Sequence, residues 1–285
     1  MYKKEKTSPN IKILVACHKA DPNIRQDDIY MPIQVGKDLH PELDLGFQCD
    51  NSGDNISYKN GNYCELTAIY WAWKNLKNVD YIGFCHYRRY FDYNINIKNL
   101  EKDLKKYDVI AIKRKIIPYS AEKALSLLLT REDVAIASSV LLKENKEYYK
   151  DILNYFFRNN KLSRYNMFIM KWSTFDSYCK DLFSFLEDVE KELKPHNYSR
   201  LKRTLGYLAE AFQGLFFLHK KFKIKYVNVQ EAHYTNRNKL IYNIRKQRDN
   251  FIFSLFSKPK KIKFIDSTNI GLKQDNLDLE EFYNE

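Results

Sequence analysis

The sequence predicts an α/β fold with a mainly parallel central sheet flanked by helices, and three observations point to it. Apolar, strand-like runs alternate with helical stretches from residue 11 to residue 113. Two of those runs end in the same dipeptide, Cys17-His18 and Cys85-His86, as neighbouring strands feeding one crevice would. The chain has 285 residues with a hydrophobic fraction of 44%, enough for a large core.

IKILVAC, 11–17, has the composition of a buried strand. A polar, loop-like stretch follows, with a short strand expected in LGFQC, 45–49. DNSGDNISYKNGN, 50–62, is turn-forming. Helical spacing then puts Leu66, Ile69, Tyr70, Trp73 and Leu76 on one face, and Asn62 with Glu65 has the spacing of a capping box. YIGFCH, 81–86, is the next strand, 97–106 a polar helix, and YDVIAIK, 107–113, a third strand. Residues 120–158 read as helical and NMFIMKW, 166–172, as a strand. Ser173 with Asp176 forms a second capping-box pattern, opening a helix that runs to about Leu193 and stops at Pro195. Ser199 opens another to about Lys220, and KIKYVNV, 223–229, is the last strand. The expected division is one α/β domain over 1–230 and a basic, aromatic C-terminal extension over 231–285.

Tyr at 22 and Phe at 18 are numerous, and both residue types can fill a core or line a sugar-binding cleft. No apolar run reaches membrane-spanning length, and MYKKEKTSPN lacks the apolar stretch of a signal peptide, so a cytoplasmic location is expected. The five cysteines include no CxxC and read as reduced core residues. The six histidines show no HExxH, and no metal site is expected. The net charge of +12 calls for an anionic partner. No RNP-like, helix-turn-helix or zinc-finger signature accompanies it, which argues against nucleic acid. The charge is uneven. Between Arg237 and Lys263 nine Lys or Arg face one acid, Asp249, and NFIFSLFSKPKKIKF, 250–264, has the aromatic-plus-lysine pattern of an interfacial membrane contact. A core-packing terminal helix is the competing reading.

The chemistry concentrates at strand ends. If the strands at 11–17 and 81–86 are neighbours, His18, Lys19, His86, Tyr87, Arg88 and Arg89 converge on one crevice. The arginine fork pairs with phosphate oxygens, and one desolvated contact contributes about 1.5–3 kcal/mol. The plainer reading is that the arginines pair with nearby acids. The chain has no GxGxxG and no GxxxxGK[ST], which argues against dinucleotide dehydrogenases and P-loop enzymes. Nor does it have a D-x-D pair to hold a divalent metal on a diphosphate. Fixed cations in HYRR can neutralise a leaving diphosphate instead. In the loop 50–60, Asp54, Asn55, Ser57 and Asn60 suit sugar hydroxyls or a base edge, with a plain turn as the alternative. Glu65 serves as a helix cap or a catalytic carboxylate. In RLKRTLGYLAEAFQGLFFLHK, 200–220, Leu201, Leu205, Leu208, Phe212 and Leu215 make a core stripe, and Arg203, Gly206, Tyr207, Glu210 and Gln213 a second. Glu210 sits in an apolar setting that favours the protonated form and suits a general base. The alternative is a surface carboxylate paired with Arg203 or Lys220.

The segments NISYKNGNYCELTAIYWAWKNL, YIGFCHYRRYF and RTLGYLAEAF resemble the bacterial domain-of-unknown-function family 4422, over roughly residues 11–230. That family is found in capsule, O-antigen and exopolysaccharide gene clusters and is similar to glycosyltransferase family 111. The resemblance implies a GT-A-like nucleotide-sugar-binding domain acting without a metal or other cofactor. It implies inverting transfer of a sugar, galactofuranose first, from a UDP-sugar donor to a glycan acceptor carried on a lipid diphosphate at the cytoplasmic membrane surface. It places the base at Glu210, with Asp54 and Glu65 as rivals. A pyranosyl or retaining transferase, and a non-catalytic scaffold at the membrane, are the alternative readings.

Overall fold

A computed structural model describes residues 9–193, 201–231 and 236–255. The chain divides into two compact units. The first comprises Met1–Lys113, Tyr165–Lys180 and Phe222–His233, and the second Arg114–Arg164, Asp181–Lys221 and Tyr234–Glu285.

The first unit is built on strands β1 (Ile11–Cys17), β2 (Tyr30–Gln34), β3 (Gln48–Cys49), β4 (Tyr81–His86), β5 (Arg89–Asp92) and β6 (Val109–Ile112). Helices α1 (Asn60–Tyr63), α2 (Leu66–Asn75) and α3 (Ile97–Asp103) lie between them in the chain. Two later strands complete the sheet, here numbered β9 (Phe168–Lys171) and β10 (Ile224–Glu231) because β7 (Lys115–Ile116) and β8 (Lys161–Leu162) pair with each other in the second unit. The sheet order is β3-β2-β1-β4-β5-β10-β6-β9, and β9 also pairs with β4. The strands β4, β5, β10, β6 and β9 therefore close into a small ring.

The expectation of a mainly parallel sheet is corrected: the sheet is mixed. Pairs β1–β2, β1–β4, β2–β3 and β6–β10 are parallel, whereas β4–β5, β5–β10, β4–β9 and β6–β9 are antiparallel. The cause is local. Only Tyr87 and Arg88 separate β4 from β5, and so short a link permits only an antiparallel return. β9 then runs antiparallel between β4 and β6. Strand β4 thus carries β1 along one side, and β9 and then β5 along the other. Gly83 sits at the tightest point of this arrangement, where a Cβ would lie 2.5 Å from Ile13 Cδ1 and 3.0 Å from the Phe168 carbonyl.

Strands β1, β4, β9 and β10 lie where their apolar runs predict. β2 was not expected, because YMPIQ holds a proline. Pro32 is tolerated because β3 begins pairing only at Ile33, which leaves β2 an edge strand at that point. Helix α2 buries Leu66, Ile69, Trp71 and Ala72, whereas Tyr70, Trp73 and Leu76 are only half-buried, so its core face is turned from the expected one. The core of this unit includes Ile13, Val15, Cys85, Phe91, Ile110 and Ile169, each fully or almost fully buried and worth about 1.5–3 kcal/mol.

The second unit holds α4 (Ala121–Leu125), α5 (Arg131–Glu144), α6 (Tyr148–Ile152), a π-helical turn over Leu153–Phe157, α8 (Thr204–His219) and α9 (Asn236–Leu255). Helix α7 (Trp172–Glu192) belongs to the first unit up to Lys180 and to the second beyond it. Thr130 and Asp133 form a capping box on α5. The box expected at Ser173 and Asp176 does not form. The helix already begins at Trp172, and the Asp176 carboxylate instead accepts from Trp73 Nε1 (2.8 Å) and Lys180 Nζ (2.7 Å). Pro195 and Ser199 lie outside the described residues, as does the chain beyond 255. α8 is buried on almost every side, including Gly206 and Gln213, while Tyr207 and Glu210 are half-buried. The two expected stripes therefore merge, apart from Arg203, which is exposed; nothing is described of the Leu201 side chain. Gly214 is required there. A Cβ would meet the Tyr155 hydroxyl at 2.2 Å and Ser163 Oγ at 2.5 Å.

Candidate functional site

The parallel pairing of β1 with β4 puts Ala16 opposite His86, so the carboxyl ends of the two strands coincide. His18 and the HYRR turn meet there. His18 Nε2 lies 3.5 Å from the Tyr87 hydroxyl, with the rings edge to face at 5.2 Å. Tyr87 is buried, and burial pushes its hydroxyl above its ordinary pKa. His18 and Lys19 are exposed beside it. Neither Tyr87 nor Arg88 takes a positive φ. A two-residue hairpin without that geometry splays its strands, and β4 and β5 share only the His86–Arg89 pair before β5 moves on to β10.

The two arginines have different surroundings. Arg88 Nε lies 3.5 Å from Asp21 Oδ2, and its guanidinium sits 4.9 Å from the Tyr87 ring centre. Asp21 is nearly buried at its carboxylate, so for Arg88 the acid-pairing reading holds in part. Arg89 instead stacks on Tyr165, its guanidinium carbon 4.2 Å from the ring centre. The Nε atoms of both arginines are buried without a hydrogen-bond partner. Unsatisfied buried donors are costly, roughly 1–3 kcal/mol each, and rare in folded chains.

A segment the sequence reading missed completes the cluster. Tyr165 and Asn166 are consecutive non-glycine residues in the left-handed region, φ 67° and 48°, just before β9. Such strain, about 1–2 kcal/mol per residue, concentrates at functional sites. The Tyr165 carbonyl accepts from His86 Nε2 (2.8 Å), so the His86 proton is on Nε2. Asn166 is fully buried and donates from Nδ2 to Glu65 Oε1 at 3.1 Å. Glu65 is therefore bound to this segment. It stands at the N-cap position of α2 without a side-chain capping bond, so the expected Asn62–Glu65 capping box is not formed. Asp21, Tyr165 and Asn166 are the residues that sequence reasoning did not find. Asn is among the few non-glycine residues with some tolerance for positive φ, and that was the single weak signal.

The loop over 50–60 behaves differently. Asp50, fully buried, accepts from the Gly36 and Lys37 amides (2.8 and 3.2 Å), from Ser57 Oγ (2.6 Å) and from Thr67 Oγ1 (2.6 Å). Asn55 Nδ2 donates to the Asn51 and Gly53 carbonyls, and its Oδ1 accepts from the Ser57 amide. Asn60 Nδ2 donates to the Cys64 carbonyl and Thr67 Oγ1. Asp54 is exposed and accepts from the Tyr70 hydroxyl at 3.2 Å. These bonds build the loop itself and tie it to β2 and α2. Residues 57–63 are helical, not the plain turn expected.

Glu210 lies in the second unit, half-buried on α8 one turn before Gly214. Lys220, one of its two expected partners, lies 3.4 Å from Asp181. Among the described residues no group of three or more His, Cys, Asp or Glu side chains is placed to hold a metal ion. None of the five cysteines forms a disulfide, and burial pushes the Cys17 thiol up to about 12.

The architecture has a counterpart among known structures. The fold is similar to that of the WbbM bifunctional glycosyltransferase in its apo form, at 26% sequence identity and a TM-score of 0.66. The likeness covers 79% of this chain and 46% of that one, so the chain corresponds to less than half of that protein. Residues 12–221 match the family described as Domain of unknown function (DUF4422), and the chain belongs to that family. No curated protein matches the chain.

Proposed function

We propose that the chain is an inverting, metal-independent glycosyltransferase of bacterial surface-polysaccharide synthesis, with a GT-A-like sugar-nucleotide domain. The donor is a UDP-sugar, UDP-galactofuranose in the first instance, and the acceptor a hydroxyl of a growing, lipid-linked glycan. The observation that carries this reading is the pair of arginines at the carboxyl end of a central strand, beside His18 and His86, whose buried Nε atoms make no hydrogen bond, Arg88 having only an ion pair with Asp21. The likeness to a glycosyltransferase supports it.

In this reaction the acceptor hydroxyl loses its proton to a carboxylate, assigned to Glu210, and its oxygen attacks the anomeric carbon. The bond from that carbon to the diphosphate breaks, and UDP departs with the electron pair. Arg89 and Arg88 neutralise the developing charge in the role that a divalent metal has elsewhere. Lys19 adds positive charge at the rim, His18 offers a ring nitrogen for hydrogen bonding, and Tyr87 fixes the turn. Asp54 and Glu65 are the carboxylates left to meet sugar hydroxyls or to replace Glu210 as base, with Asn55, Ser57 and Asn60 shaping the loop around them.

Titration with UDP by calorimetry, with and without EDTA, tests the donor half of the reading. Binding is expected to survive EDTA. A strict metal requirement would overturn the metal-free mechanism, and no binding in either buffer would overturn the donor class. Product stereochemistry by NMR then distinguishes inversion from retention.

A further inference from the structure

Helix α9 carries a feature that sugar transfer does not use. Leu240, Ile241, Ile244, Phe251, Ile252 and Leu255 are all solvent-exposed, between 39% and 70%. They make up most of the large apolar side chains exposed among the described residues. Their spacing is regular. Leu240 and Phe251, Ile241 and Ile252, and Ile244 and Leu255 are each 11 residues apart. At about 100° per residue, all six fall in an arc of about 120°. Phe253, roughly opposite that arc, is half-buried, and its carbonyl accepts from Asn160 Nδ2 at 3.1 Å within the same unit. The helix is thus held from one side and shows the apolar stripe on the other.

The 11-residue spacing drifts by only about 20° in three turns, so the six side chains stay on one side of the helix. Charge argues for the occupant. The helix sequence has Arg237, Lys239, Arg245, Lys246 and Arg248 against one acid, Asp249. Arg245 is exposed at the border of the stripe. Arg248 lies within it, exposed and paired with Asp249 at 2.8 Å, and its long stem can lie along an apolar layer with the charge raised out of it.

We propose that this face of α9 docks the protein on an anionic lipid bilayer, with its apolar stripe at the acyl boundary and the guanidinium groups of Arg245 and Arg248 among the headgroups. Among the described residues no helix is long and apolar enough to cross a membrane, so the contact is lateral. Of the interfacial stretch expected over 250–264, residues 250–255 belong to α9 and 256–264 lie outside the described residues.

Flotation of the full chain with vesicles tests this. Wild type is expected to float with phosphatidylcholine vesicles holding about 30% phosphatidylglycerol, and at least tenfold less with pure phosphatidylcholine or in about 0.5 M salt. The triple variant Ile244→Glu, Phe251→Glu, Leu255→Glu should lose flotation by a similar factor, since every changed side chain is exposed and folding is spared. Wild type that stays in solution, or a variant that floats equally well, overturns the proposal. So does a wild-type dimer that the variant splits, with no vesicle binding, because the stripe would then belong to a second copy. UDP binding by the same variant, measured in parallel, should remain at the wild-type level, which separates this proposal from the donor reading.

Discussion

Two polar clusters of the first unit stand in contrast. Around Asp50, each carboxylate oxygen receives two donors, and the amides and hydroxyls it serves belong to the loop and the helix that the cluster fixes in place. Around His86, two buried arginine Nε atoms make no hydrogen bond, that of Arg88 having only an ion pair with Asp21, and two adjacent residues are held in left-handed backbone. Both clusters are rich in short polar and charged side chains, and by composition alone they look alike. What separates them is satisfaction. A cluster that consumes all its own hydrogen-bonding capacity is architecture. One that leaves capacity over, at a cost of several kcal/mol, is held ready for something else.

The largest expected effect falls on the satisfied cluster. Asp50→Ala leaves the Gly36 and Lys37 amides and the Ser57 hydroxyl without an acceptor, while Thr67 keeps the Cys64 carbonyl, and should cost about 3 kcal/mol of stability by urea denaturation. A loss below about 1 kcal/mol would show that water replaces the carboxylate easily, and the contrast would collapse.

The next effect falls on the unsatisfied cluster and is functional. Arg89→Ala should weaken UDP binding by about 100-fold while changing stability by less than about 1 kcal/mol. Arg88→Ala should weaken it less, about tenfold, because Asp21 already offsets part of its charge. Equal losses would mean that the donor pulls Arg88 fully away from Asp21. Normal binding in both variants would end the phosphate role of the turn.

Strain sharpens the comparison further. Tyr165→Gly relieves a left-handed backbone by about 1 kcal/mol but removes the ring beneath Arg89. Stability should hold near the wild-type value while UDP affinity falls about fivefold to tenfold. If stability and affinity fall together, the ring is simply part of the core and the strain has no separate purpose.

These contrasts also explain what the sequence could and could not reveal. The strand ends were legible because β1 and β4 are continuous apolar runs with polar exits, and their parallel pairing follows from the helix between them. That brought His18, Arg88 and Arg89 together on paper. The return of β4 into β5 was not legible, because Tyr87-Arg88 lacks the Gly or Asn that normally marks a two-residue hairpin. The mixed sheet and its ring follow from that one unmarked turn. Tyr165 and Asn166 were missed for another reason. They reach His86 and Glu65 across 79 and 101 residues of chain, and no local pattern encodes a meeting at that range. The loop at 50–60 was read as a sugar contact or a plain turn, since short polar side chains bind hydroxyls and cap their own backbone with equal ease.

The smallest effect tests whether satisfaction identifies architecture elsewhere in the same unit. Asp176 on α7 receives Lys180 Nζ and the indole N–H of Trp73 from α2, and those two hydrogen bonds, the lysine's first, hold its carboxyl below the ordinary range. A depressed carboxylate contributes stability that is present above its unfolded pKa and is lost as pH falls through the lower, folded value. Asp176→Asn should therefore be less stable than wild type at pH 7 by about 1 kcal/mol or less, the size expected of a half-exposed pair. The difference should shrink as pH falls below the ordinary carboxylate range and vanish once pH is below the lower, folded value, where the wild-type carboxylate is itself protonated. UDP binding should be untouched at neutral pH. A stability difference that persists unchanged into acid would mean that the asparagine disturbs packing between α2 and α7. A loss of UDP binding would mean that a fully satisfied carboxylate can still belong to the site, and the rule drawn from Asp50 and His86 would not hold for this fold.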